Sequence, residues 1–131
     1  MSEETVDIAR RAFEAFNRDR EAWLEMCADD CELHSLRTQL EGRPYRGREE
    51  LRQFLVDTDE QWEYVRLEAN EIRDAGEQVV ALCDFKAKGR ASGVELEFAV
   101  GMVMATRAGK IIYGRFYSDP DAALAAVGLS S

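Results

Sequence analysis

The run AGKIIYGRFYSDPDAALAAVGL, residues 108–129, contains a turn, a strand and a short helix in direct succession. Ala108-Gly109 is a turn pair, and the side chains from Lys110 to Ser118 alternate as on a strand. Asp119 stands where a helix cap is wanted, Pro120 brings the fixed φ that suits a first helical position, and Gly128 stops the helix.

Working back from this run, three further segments alternate in the same way: 64–73, 77–88 and 94–107, separated by turns at Ala75-Gly76 and from Gly89 to Gly93. Four strands joined by short turns predict an antiparallel meander. Before Tyr64 the period becomes helical. Leu51, Phe54, Leu55 and Trp62 mark one helix, and Val6, Ala9, Phe13 and Phe16 mark another over 3–17, with Ser2 as its cap and acids in its first turn. Asp19 caps a short helix that buries Trp23, Leu24 and Cys27 and stops before Asp29 and Asp30. Cys31 to Leu36 alternates as a short strand, and Thr38 to Arg46, with Gly42 and Pro44, is expected to be a loop. The order helix, helix, strand, helix, four strands, helix predicts one α+β domain over 1–131. The expected shape is a cone-like barrel, its helices packed on a strongly curved, mostly antiparallel sheet around a pocket.

At 131 residues the chain is long enough to bury a core without disulfides. Its 26 acidic against 17 basic groups give a net charge of −9, which repels phosphate backbones and anionic headgroups. Neither nucleic acid nor membrane is expected as a partner. The longest largely apolar segment, 98–105, is too short to span a bilayer. The opening Ser2, Glu3 and Glu4 lack the basic start of an export signal, and three cysteines make an odd count for a disulfide framework, so a cytoplasmic location is expected.

The C-terminal run resembles the ending of the SnoaL-like branch of the nuclear-transport-factor-2-like superfamily, the resemblance running from the first helix to the last. Two weaker echoes are the stretch from Asn17 to Asp30 and Arg46-Gly47-Arg48-Glu49 at the start of a helix. The resemblance implies the ketosteroid-isomerase-like fold, which hosts isomerases, cyclases, dehydratases, hydrolases, transport factors and non-catalytic domains. In ketosteroid isomerase a carboxylate base works with a tyrosine and a protonated aspartate that bind the oxyanion. Matching the shared landmarks puts these three roles on Ser35, Ala12 and Gly101, none of which supplies the chemistry. The isomerase mechanism is therefore not expected.

His34, the single histidine, is a candidate general base. If its neighbour Ser35 faces the pocket, however, the pleat turns His34 away toward a helix or subunit contact, unless a bulge reverses the geometry. Cys27, Cys31 and His34 are spaced suggestively for zinc, but a closed site wants a fourth ligand, and neither metal nor cofactor is expected.

The segment 94–107 has one bulky face, Leu96, Phe98, Val100, Met102 and Met104, and one small face that includes Glu97, Ala99 and Gly101. The bulky stripe is expected to pack against a second sheet in a homodimer, extended by Tyr113, Arg115 and Tyr117, although Arg115 could instead clamp an anion. The small face is expected to leave room for a ligand. The pocket expected on that basis is lined by Ala12 and Phe16, Ser35, Cys83 and Phe85, Glu97 and Gly101, and Ile112 and Phe116, with Trp62 at its mouth. Glu97 would be the one carboxylate inside, unless it lies solvated at the rim. These residues point to a small apolar ligand, with Glu97, Ser35 and His34 as the groups for acid–base chemistry. The alternative is a non-catalytic dimeric domain. A third role, docking another protein as a transport factor does, is disfavoured by the heavily charged helices.

Overall fold

The computed structural model describes residues 2–129. In chain order the elements are α1 (Ser2–Arg18), α2 (Arg20–Met26), β1 (Cys27–His34), α3 (Leu36–Glu41), β2 (Tyr45–Arg46), α4 (Gly47–Gln61), β3 (Trp62–Asp74), β4 (Gln78–Gly89), β5 (Glu95–Arg107), β6 (Lys110–Tyr117) and α5 (Pro120–Ala126). The six strands form one sheet in the order β2-β1-β6-β5-β4-β3. All its neighbours are antiparallel except β1 and β6, which run parallel.

Helix α1 forms because its apolar residues recur at helical spacing. Ile8, Ala9, Ala12, Phe13 and Phe16 are all buried, a stripe that lies on the sheet. The cap expected at Ser2 rests on a side chain outside the described residues. At the other end Asn17 fastens the helix to the sheet edge: its Nδ2 donates to the Leu67 carbonyl at 2.8 Å, and its Oδ1 accepts from the Leu67 N–H at 3.0 Å. Strand β3 lies at that edge, so Asn17 satisfies backbone groups that have no neighbouring strand. Helix α2 is capped by Asp19, which accepts from the Ala22 N–H. Helix α4 is held to the junction of α2 and β1 by Arg48, whose guanidinium donates twice to the Cys27 carbonyl, at 2.8 and 3.1 Å.

The sheet bends through register shifts. One falls between Ala69 and Glu71 on β3, and others in β1 and at the end of β5. The β3 shift leaves Asn70 as the extra residue and the β5–β6 shift leaves Ile112, while β1 slips by three residues between Cys27 and Glu32; such irregularities increase twist and curl the strands. The concave side takes α1 and α4 and carries the main core, from Phe13 and Trp23 to Val79 and Met104. The convex side takes α5, over a small second core of Val80, Val103, Ala123 and Leu124.

The structure corrects several expectations about elements, among them the first strand, which runs over Cys27–His34 and not from Cys31 to Leu36. The segment 38–46 is not a plain loop, because Ser35 caps a short helix, α3, which ends at Gly42 in a left-handed turn and leads into β2. Trp62 is not on the helix but opens β3. The bulky face of β5 does not look outward: Met102 stands across from Phe116 and Val100 across from Cys83, all on the concave side. The stripe therefore lies under the helices and not on the outer face of the sheet: Val100, Met102 and Met104 are core, and Leu96 and Phe98 reach the open end of the concave side. Tyr113, Arg115 and Tyr117 pair with Ala105, Val103 and Gly101 on the convex side.

Candidate functional site

A cavity of about 320 Å³ opens between α4, the tip of α1 and the concave face of the sheet. Its walls are aromatic. Phe16 and Phe54 come from the helices, with ring centroids 6.4 Å apart. Trp62, Phe85 and Phe98 come from three adjacent strands, Phe85 stacked on Phe98 at 4.9 Å and meeting Trp62 edge-on at 6.0 Å. Phe116, Val65, Leu67 and Val100 complete the apolar lining. Leu96 and Phe98 remain 40% and 39% exposed, too open for core and placed at the mouth. Beyond Phe16 and Phe54 a void of about 20 Å³ reaches Ala12.

Polar groups gather at one side of the cavity, from α3, β2 and the last turns of α4. The Tyr45 hydroxyl donates to Asp57 Oδ2 at 2.8 Å, and Gln53 Nε2 donates to Oδ1 at 2.8 Å. These two bonds, Gln53 first, hold the Asp57 carboxyl below the usual carboxylate range. Burial, and then the bond to Asp57, push the Tyr45 phenol up to about 12. The pair is thus an ionised acceptor and a persistent donor. Arg37 also reaches the lining and lies 3.7 Å from Glu41, while Thr58 returns its hydroxyl to the Phe54 carbonyl. Tyr45 and Asp57 also wall a shallow polar depression outside, shared with Arg43 and Pro44.

The residues singled out from sequence divide. Phe16, Trp62, Phe85 and Phe116 line the cavity. Ser35 lines it too, but its hydroxyl is committed to the cap of α3, accepting from the Thr38 N–H at 3.1 Å and lying 3.2 Å from the Thr38 hydroxyl. Cys83 is buried in the core beside the cavity, its thiol pushed up to about 12 by burial, and is not part of the lining. Gly101 faces the other way, against α5. Glu97 sits exposed on the same convex face, across from Lys86, and so is not the carboxylate inside. Ile112 is also absent from the lining.

His34 lies outside the cavity. Its Nε2 is 2.7 Å from Glu32 Oε1, the other Glu32 oxygen accepts from Arg46 at 2.9 Å, and its ring centre is 5.4 Å from that of Tyr113. Arg46 and then His34 hold the Glu32 carboxyl below its ordinary range. No group of three or more metal-ligating side chains is found among the described residues. Tyr45, Asp57, Arg37, Thr58, Gln61, Leu96 and Phe98 are among the lining residues that sequence reasoning missed. A signal for part of this set existed, since Asp57, Thr58 and Gln61 follow Phe54 at +3, +4 and +7, the spacing of one helix face.

A family model of the SnoaL-like domain matches residues 9–114. The chain belongs to this family. The SnoaL-like match stops within β6, so the C-terminal run that carried the resemblance lies mostly beyond it. Solved structures cover more of the chain. An NTF2-like protein of unknown function from Burkholderia pseudomallei superposes with a TM-score of 0.78 at 19% identity, over 95% of this chain and 98% of its own. A protein with a ketosteroid isomerase-like fold from Catenulispora acidiphila, in complex with trimethylamine, gives 0.74 at 20% identity, over 93% and 92%. A candidate SnoaL-like polyketide cyclase from Jannaschia gives 0.76 at 16% identity, over 99% and 95%. At these identities the likeness shows the fold alone. No curated protein matches the chain.

Proposed function

We propose that this SnoaL-like domain binds one compact, largely apolar molecule in the aromatic cavity and carries out acid–base chemistry on it at Asp57. The observation that carries this is the segregation of the lining: seven aromatic or aliphatic side chains from β3 to β5 on one wall, and an ionised carboxylate with a phenol donor on the other. A cavity of about 320 Å³ sits at the small end of ligand-site volumes. The role expected of Glu97 passes in part to Asp57, the carboxylate on the lining, which is held ionised and so acts as a base and not as an acid. Two neighbours of the fold, one bound to trimethylamine and one described as a candidate polyketide cyclase, support a small organic ligand.

The test is thermal shift against small aromatic ketones, polyketide fragments, terpenoids and steroids. A ligand at about 100 times its dissociation constant adds roughly 2.7 kcal/mol, or about 10 °C for a domain of this size. Asp57→Asn should abolish turnover even at saturating ligand. Silence across the panel would remove the proposal.

A second reading, a non-catalytic binding domain, is favoured by the loss of isomerase-type groups. Ala12 is apolar, the Ser35 hydroxyl is engaged in a cap, and Gly101 faces away from the cavity against α5. Binding without turnover would decide for it. We further propose a homodimer through the convex face, where Leu82, Tyr113 and Tyr117 are half-buried and Ala99 is exposed. A monomer by sedimentation at micromolar concentration would overturn that. Three unpaired thiols, all buried, fit a cytoplasmic protein.

A further inference from the structure

We propose that the ligand of the aromatic cavity carries a positive charge, an organic ammonium group seated between Asp57 and the ring faces. This rests on the cavity being the binding site and adds which chemistry it selects.

Asp57 accepts one hydrogen bond on each oxygen, both from neutral donors, Tyr45 and Gln53. An ionised carboxylate has about four acceptor sites, so half its capacity still looks for a partner. Among the described residues no lysine or arginine forms an ion pair with it; Arg37, the one cation on the lining, acts on its charge only from a distance and is 3.7 Å from Glu41. Filling the cavity with a wholly apolar molecule would strip water from the sites that face it and leave a charge that Arg37 offsets only in part, which disfavours binding. An anionic ligand would meet Asp57 as a like charge. A cation removes both difficulties.

The rest of the cavity suits the same occupant. Tyr45, Phe54 and Phe16 form a continuous aromatic row on the Asp57 side, with Tyr45 and Phe54 centroids 5.3 Å apart, and Trp62, Phe85 and Phe98 face them from the sheet. Ring faces carry negative potential and attract alkylammonium groups, and the attraction grows as water is excluded. The chain's net charge of −9 adds a long-range bias in the same direction.

The test is a matched pair, benzyltrimethylammonium and its neutral carbon isostere neopentylbenzene, titrated by calorimetry against the wild-type chain, Asp57→Asn and Tyr45→Phe. The cation should bind wild type roughly tenfold or more tighter than the isostere. Asp57→Asn, which keeps the side chain's shape, should bring the two within about twofold of each other by weakening the cation alone. Tyr45→Phe should keep the preference, since the carboxylate remains. Equal affinity for both probes, or a preference that survives Asp57→Asn, overturns the charge assignment while leaving the cavity as a site for neutral molecules. Binding of neither probe overturns the assignment of the cavity as well. If Asp57→Asn does not fold, raising salt from 20 to about 500 mM on wild type replaces it: the cation must weaken and the isostere must not.

Discussion

Gly101 on β5 and Ala123 on α5 are in direct apposition, so close that a Cβ added to Gly101 would overlap the Ala123 methyl and crowd Pro120. This contact seats α5 on the convex face and turns Val100 and Met102, the neighbours of Gly101, to the concave side.

Because the obstacle is a short methyl backed by a helix, and not a flexible tip, α5 has to move when Gly101 gains a side chain. Gly101→Ala should destabilise the fold by about 1 to 3 kcal/mol in urea unfolding. Adding Ala123→Gly should recover part of the loss, so the two changes will be non-additive. Fully additive losses would show that the contact is not what holds α5.

The Asn17 clamp predicts a second loss. Asn17→Ala strands the N–H and carbonyl of Leu67 on an edge strand, and should cost about 1 to 3 kcal/mol. Amide hydrogen exchange should quicken at Leu67 ahead of the neighbouring interior strand β4. Unchanged exchange there would remove the clamp from the account.

Tyr45 should be visible in an alkaline titration of tyrosinate absorbance. Its phenol is pushed up to about 12, above the unfolded value of about 10. A raised folded value means that the folded state holds the proton longer. The stability this group contributes is complete below about pH 10 and is lost as pH rises through 12. Tyr45→Phe should delete the highest transition, and Asp57→Asn should shift it downward. A Tyr45 midpoint near 10 in the wild-type chain would contradict the Asp57 bond.

The two tryptophans should report differently on the cavity. Trp62 lines it, whereas Trp23 is buried among Phe16 and Phe54 in the core. A ligand that enters should change the emission of Trp62, so Trp62→Phe should abolish most of the response and Trp23→Phe should retain it. The reverse pattern would place the ligand elsewhere.

Much of the architecture was legible in the residues because local chemistry and tertiary structure agree there. The stripe of α1, the Asp19 and Asp119 caps, Pro120 and the Gly-marked turns each act within a few residues of themselves. The aromatic residues of the lining were partly legible for the same reason: Phe85 and Phe116 lie on strand faces that period alone defines. Ser35 was misread in role, since a serine at the end of a strand can as well open a helix, and here Thr38 three residues on completes the capping box.

The amino-acid sequence by itself determined which residues of β5 share a face, that one face is bulky and the other small, and that helices flank a curled sheet. Only the tertiary structure decided which face is inside. Alternation fixes a period of two but not its sign, and the sign depends on what packs on each side. Here α1 and α4 cover the bulky side, making Leu96, Phe98 and Val100 cavity wall, while α5 needs the small side at Gly101. The Tyr45–Asp57 pair escaped notice because it joins a two-residue strand to the end of α4, and such a meeting is set by how the bent sheet brings those elements together.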